Sequence, residues 1–248
     1  MRENVWILIF KITFLNVNII CQSIYAPTEF SWGFSFCKKS LFAQKENIME
    51  KQKQKNKIRV ITGTAMLTAV AVALQYIEFP IPIMPSFIKL DFSDLPELIG
   101  AFAYGPVAGV LIALLKNLIH MAVSQSGFTG ELSNFVLGAV FALTAGLIYK
   151  KKKTKKSALI AGVVGSLAMA LFSIVSNYFV IYPMYYSILG FPEKAVLGMY
   201  QALLPSVKNI LQALIIFNVP FTFVKGLICA LVTMLIYKPL SPILKGKK

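Results

Sequence analysis

Charge is what this chain has least of. Only 14% of its 248 residues are Asp, Glu, Lys or Arg, while 57% are hydrophobic and the mean hydropathy is +0.70. A water-soluble domain carries about 25% charged and about 45–50% apolar residues. The composition therefore excludes an ordinary soluble enzyme or binding module and indicates an integral membrane protein. Arginine is rarer still, confined to Arg2 and Arg59. There is one histidine, His120, and the three cysteines (Cys21, Cys37 and Cys229) have neither CxxC spacing nor an even count. A metal-ligand set and a disulfide framework are both excluded on those grounds. Also missing are a GxxxxGKS/T nucleotide loop, HExxH, GxSxG and any acid-rich pair deep within a hydrophobic span. No ATP hydrolysis, other enzyme activity, metal or cofactor is expected, and any pumping must draw its energy from elsewhere.

The net charge of +15 does not point to nucleic acid. The lysines lie in short runs at the ends of hydrophobic segments, as topology signals do, without interleaved aromatics. Six hydrophobic segments are expected to span a membrane, at about 59–79, 94–104, 106–124, 131–149, 157–186 and 206–237. The second is short, since about 20 residues are needed to cross. It meets the third at Tyr104-Gly105-Pro106, a tight turn. Pro220 gives the last a kink point. Three basic clusters, Lys51–Arg59, Lys150–Lys156 and Lys238–Lys248, face the cytoplasm together only if an even number of spans separates each pair. Four and two spans satisfy this. The expected fold is an all-α membrane bundle of six transmembrane helices with both termini cytoplasmic.

Residues 1–48 differ from the rest. Trp6–Cys21 is hydrophobic but broken by Lys11, Asn16 and Asn18, and lacks a clean cleavage site. Met49 then opens a basic leader, MEKQKQKNKIRV, which runs straight into the first strong span. Translation is expected to begin at Met49. Residues 1–48 then form an upstream extension or a disordered arm, and 49–248 the membrane domain.

The segment IKLDFSDLPELIG, residues 88–100, sets Lys89, Asp91, Asp94 and Glu97 among apolar neighbours. Such charges are expensive unless they meet water or line a site. One reading is a solvated turn with Asp94 as N-cap and Glu97 in the first helical turn. The other is a place where a solute meets the protein. Polar residues within the spans point the same way: Lys116 and Asn117 in the third, Asn134 in the fourth, Asn177 in the fifth. Asn218, Thr222 and Lys225 share one face of the sixth, because spacings of four and three superpose on a helix. Together they describe a pocket for a neutral ligand with mixed donors and acceptors, since asparagine supplies both and lysine donates. No acid lies deep in a span, so a proton relay is not expected. Ala65, Ala69 and Ala73 recur every four residues and offer a face for close helix approach.

The runs KLDFSDLPELIGAFAYGPVAGVLIALLKN, GELSNFVLG, NYFVIYP and PFTFVKG, in that order, resemble the riboflavin-specific S component of energy-coupling factor (ECF) vitamin transporters. The resemblance covers about residues 57–240. It implies a six-helix subunit of the bacterial plasma membrane, embedded in lipid, that binds riboflavin near the outer face. It further implies partners: a transmembrane T component, which the alanine-rich first helix would meet through Ala65, Ala69 and Ala73, and two ATPase subunits. The first outer loop, here Leu90, Asp91 and Phe92, would cover the ligand. Positions equivalent to Asn134, Asn177 and Lys225 would meet the flavin or its ribityl chain, with Lys116 and Asn117 in a matching motif. Relatives often carry PFN-x2-KG where this chain has Thr222, which keeps a donor and acceptors but loses the planar amide. Asn218, one turn away, stands ready to compensate. Phe92, Tyr178, Phe179 and Tyr182 would supply aromatic surface. The scarcity of arginine suits riboflavin, which has no phosphate, better than FMN. The alternatives are an S component for thiamine, folate or biotin, and a non-transport membrane protein.

Overall fold

The computed structural model describes residues 31–85, 88–124, 127–188, 190 and 192–245. Most of the extension expected at 1–48 therefore lies outside the described residues; its last part, from Ser31, is helical. The chain divides into two compact units, Met1–Lys57 and Ile58–Lys248. The cavity and the site described below lie in the second.

The helices are α1 (Ser31–Tyr76), α2 (Asp94–Tyr104), α3 (Pro106–His120), α4 (Thr129–Lys151), α5 (Lys155–Ser176), α6 (Tyr182–Ile188), α7 (Glu193–Leu203), α8 (Ile210–Ala213) and α9 (Val219–Lys245). Five stretches among the described residues are helical, long and apolar enough to cross a membrane: Gln44–Tyr76, Pro106–Val123, Thr129–Lys151, Lys155–Ile188 and Ile210–Tyr237. The segment expected as the second span is α2. Its 11 residues rise only about 16 Å at about 1.5 Å per residue, half the thickness of a hydrocarbon core. It packs against α3, α4 and α9, burying Leu98, Ile99, Gly100, Ala101 and Phe102.

The turn after α2 is built as its sequence requires. Gly105 takes φ +110° and ψ 167°, a combination open to glycine and strained for other residues. Pro106 follows as the first residue of α3, where its missing N–H is no loss. A Cβ placed on Gly109 would fall 2.8 Å from the Ala101 Cβ and 2.9 Å from the Ala142 Cβ. Glycine there lets α2, α3 and α4 meet at backbone distance.

Before α2, two residues on each side pair antiparallel, β1 (Phe79–Pro80) with β2 (Lys89–Leu90). An ion pair between Glu78 and Lys89 closes the base of this hairpin. The long apolar stretches are not uniform helices. A π turn at Asn177–Ile181 joins α5 to α6, and another at Leu214–Asn218 joins α8 to α9. The helix α7 lies in the stretch between the last two spans, and its buried Val196 and Tyr200 face a cluster with Ile181, Tyr182, Ile210 and Leu214. The hydropathy pattern, which registers only segments of membrane length, gives no sign of that helix.

Candidate functional site

A cavity of about 550 Å³ opens in this unit, within the range of about 300–1,000 Å³ usual for small-molecule pockets. Gln75 and Tyr76 from α1, Glu78 and Lys89 from the hairpin, and Asp91 from the following loop form part of the wall. His120 ends α3; Glu131, Ser133 and Asn134 come from the first turns of α4. Asn177, Ile181, Tyr182 and Tyr185 contribute from the first π turn and α6, and Asn218, Phe221, Thr222 and Lys225 from the second π turn and α9.

Of the residues expected at the ligand, Asp91, Asn134, Asn177, Asn218, Thr222 and Lys225 line this cavity. Leu90, Phe92, Lys116 and Asn117 do not. Phe92 sits behind the loop with its ring 6.3 Å from that of Phe79. Leu90 pairs with Phe79 in the hairpin. Tyr182 is in the wall, but Tyr178 and Phe179 are 43% and 69% exposed. They follow Asn177 by one and two residues, so with Asn177 turned inward they must turn toward the surroundings.

Beneath the loop lies a buried ionic cluster. Lys225 Nζ is 3.0 Å from Asp91 Oδ2 and 3.1 Å from Asp94 Oδ2, and donates to Asn134 Oδ1 at 3.4 Å. Lys116 Nζ lies 2.7 Å from Glu97 Oε1 and 3.2 Å from Asp94 Oδ1, and donates to Ser93 Oγ. The Ser93 backbone N–H donates to Asp91 Oδ1 at 2.8 Å, joined there by the Ser93 hydroxyl. Asp94, Glu97 and Lys116 are completely buried.

This overturns the solvated-turn reading of Asp94 and Glu97. The N-cap position belongs to Ser93 and has no side-chain cap bond. Asp94 and Glu97 occupy the first turn, where the helix dipole favours anions, but their partners are lysines from α3 and α9 and not water. Burial of unpaired charge is costly, so these carboxylates stay in the interior because the two ammonium groups are there. For Asp91, burial alone would raise the carboxyl. The charges of Lys225 and Lys116 and the hydrogen bonds from Ser93 outweigh it and hold Asp91 well below the usual carboxylate range.

Three further groups at the cavity were not foreseen. Glu131 Oε1 is 3.0 Å from His120 Nδ1, and its other oxygen accepts from Ser124 Oγ at 2.8 Å. His120, assigned no role from sequence, thus meets an acid of the next helix. Tyr200 on α7 donates to Asn218 Oδ1 at 2.8 Å and lies 2.5 Å from the Tyr182 hydroxyl, while Asn218 Nδ2 donates to that same hydroxyl at 3.3 Å. This closed triad ties α7 into the cavity wall. Gln75 hydrogen-bonds Asn117 at 3.0 Å. Its place, four residues after Ala71 on the buried face of α1, was the available signal.

Comparison with known proteins agrees with this architecture. Residues 59–237 match the model of the family described as ECF transporter, substrate-specific component. The chain is 38% identical over 193 residues to the riboflavin transporter RibU of Staphylococcus aureus, covering 77% of this chain and 94% of that protein. It is 29% identical over 189 residues to the riboflavin transporter FmnP of Bacillus subtilis, covering 75% and 94%. A solved structure described as the S component of a bacterial ECF transporter superposes with a TM-score of 0.61 at 35% identity, covering 76% of this chain and 99% of that one. With its apolar spans, its α2-to-α3 turn and its polar cavity, this chain belongs to the family of substrate-specific components of ECF transporters.

Proposed function

We propose that this chain captures riboflavin outside a bacterial plasma membrane and hands it inward as the substrate-binding subunit of an ECF importer. The observation that carries the reading is the charge balance of the cavity. Its lysines are paired with acids, Glu78 with Lys89 and Asp91 with Lys225, and Glu131 is held by hydrogen bonds to His120 and Ser124. What the wall offers a ligand besides these are amides and a hydroxyl, from Asn134, Asn177 and Thr222 among others. A neutral ligand with a flat ring system and a polyol tail suits such a wall, and riboflavin is one. Two relatives carry the name riboflavin transporter, which supports the same choice. Thiamine is cationic and biotin and folate are anionic, so each would need an uncompensated counter-charge in the wall. FMN would need one for its phosphate. Riboflavin enters as cargo and not as a cofactor.

The basic clusters at Lys51–Arg59, Lys150–Lys156 and Lys238–Lys248 support an orientation with both ends cytoplasmic and the loop at Asp91 outside, with short α2 and the loop before it together making the second of six crossings. The partners are then a transmembrane T component and two ATPase subunits. Ala65, Ala69 and Ala73 are all exposed on α1, on the side away from Leu67 and Ala71. They present a small-residue face on which a T-component helix can pack closely.

The test is direct. The chain purified in detergent should carry yellow flavin, and the flavin-free protein should quench riboflavin fluorescence on titration. Tight binding of thiamine, folate or biotin with no binding of riboflavin would overturn the reading.

A further inference from the structure

The pair Gln75 and Asn117 has a polarity that the backbone dictates. Asn117 Nδ2 donates to the Ala113 carbonyl at 2.8 Å, one turn earlier on α3. A backbone carbonyl only accepts, so Asn117 must turn its nitrogen toward it, which leaves Oδ1 as the atom facing α1. Gln75 Nε2 donates to that oxygen at 3.0 Å. The opposite orientation of either amide would set two acceptors against each other. Gln75 Oε1 is therefore the atom left over. Gln75 is 3% exposed, forms part of the cavity wall, and its Oε1 has no hydrogen-bond partner among the described residues. A buried acceptor without a donor is unfavourable, and this one belongs to a residue of the cavity wall.

We propose that Gln75 is a specificity residue of this site, its Oε1 accepting a hydrogen bond from a donor on the bound ligand. Asn117 is then a positioning residue that fixes the amide through the α3 backbone and does not touch the ligand. The inference rests on the riboflavin reading. Riboflavin offers two sources of such a donor, the imide N–H of the ring and the hydroxyls of the ribityl chain. Both present the same chemistry to Oε1. A glutamine free to flip would accept a donor or an acceptor alike; one held by Asn117 discriminates between them.

The experiment titrates the full chain, by fluorescence quenching in detergent, with riboflavin, 3-methylriboflavin (no imide N–H) and lumiflavin (no ribityl chain). Gln75→Met keeps length and removes the acceptor. It is expected to weaken riboflavin binding at least tenfold while leaving the affinity for one analogue, the one that lacks the donor, within twofold of its wild-type value. Asn117→Leu is expected to weaken riboflavin in the same sense, and to add nothing in the Gln75→Met background. An unchanged riboflavin affinity in Gln75→Met, an equal loss for all three flavins, or additive losses in the double variant would overturn the proposal. The wild-type chain supplies a check independent of variant folding: one analogue must bind at least tenfold more weakly than riboflavin, and two analogues binding as tightly as riboflavin would sink the idea. A wild-type chain that binds none of the three overturns the riboflavin reading, and this inference with it.

Discussion

Replacing Lys225 by methionine removes one ammonium from a cluster of three carboxylates and two lysines. In the folded chain Lys225 Nζ holds Asp91 at 3.0 Å and Asp94 at 3.1 Å. The three residues are 7%, 4% and 0% exposed. Without Lys225, Asp94 keeps Lys116 at 3.2 Å, but Asp91 keeps only its hydrogen bonds from Ser93. Breaking a buried pair from one side strands a charge and costs about 3–5 kcal/mol. For a chain of this size that corresponds to a fall in Tm of roughly 6–20 °C. Asn134 also loses the donor to its Oδ1, so flavin affinity should drop by about 1–3 kcal/mol.

Asp91→Asn in the same background separates this account from a general packing defect. Removing both partners of a buried ion pair is far milder than removing one. The double variant should therefore be more stable than the sum of the two single changes by about 1–3 kcal/mol. Helical circular dichroism on heating, with flavin-fluorescence quenching at ambient temperature, reads both quantities. Trp6 and Trp32 precede the cavity-bearing unit, which begins at Ile58, so tryptophan emission is not the probe to use. Losses that simply add in the double variant, or a Lys225→Met chain with unaltered Tm and affinity, would refute the reasoning.

Acid tests the same pair with the opposite partner changed. Asp91 has a folded pKa below its unfolded value of about 3.9, so its contribution to stability is complete above that value and is lost as pH falls through the folded one. The stability gap between wild type and Asp91→Asn should stay flat from about pH 8 to about pH 5 and narrow only below about pH 4; a gap closing near neutrality contradicts the assignment. On the exposed face of α1, Ala65→Leu with Ala69→Leu should leave riboflavin titration unchanged in detergent and abolish riboflavin uptake by cells. Lost binding would instead make those alanines part of the fold.

Much of this was legible because membrane length and hydropathy are coarse signals that need no tertiary information. The third and fourth spans, expected at 106–124 and 131–149, appear as Pro106–Val123 and Thr129–Lys151. The helical spacing that groups Asn218, Thr222 and Lys225 on one face is present too, and all three line the cavity. The fate of Asp94 and Glu97 was not legible. Local composition says that such residues are solvated, and the lysines that retain them lie far away in sequence, 22 residues from Asp94 for Lys116 and 134 from Asp91 for Lys225. Lys116 and Asn117 are both buried, as polar residues inside a span should be, yet adjacent residues on a helix point about 100° apart. One reaches the ionic cluster and the other reaches Gln75, and neither reaches the cavity.

The placement of two of the three cavity asparagines is tied to the prolines of the NYFVIYP and PFTFVKG runs. Each π turn ends two residues before a proline: Ile181 before Pro183, and Asn218 before Pro220. In a regular α-helix those prolines would press against the carbonyls of Phe179 and Ile216 and leave them without a donor. Widening the turn by one residue relieves the clash, and the chain re-forms bonds from Tyr182 N–H to the Asn177 carbonyl and from Val219 N–H to the Leu214 carbonyl. Backbone groups at membrane depth must be satisfied in this way or face a cavity. The extra residue also advances the side chains by about 100° relative to an unbroken helix. Asn177 begins one such turn and Asn218 ends the other, so each amide stands at the edge of a change of helical phase next to a proline. Tyr178 and Phe179, one and two residues after Asn177, point outward by helical spacing itself.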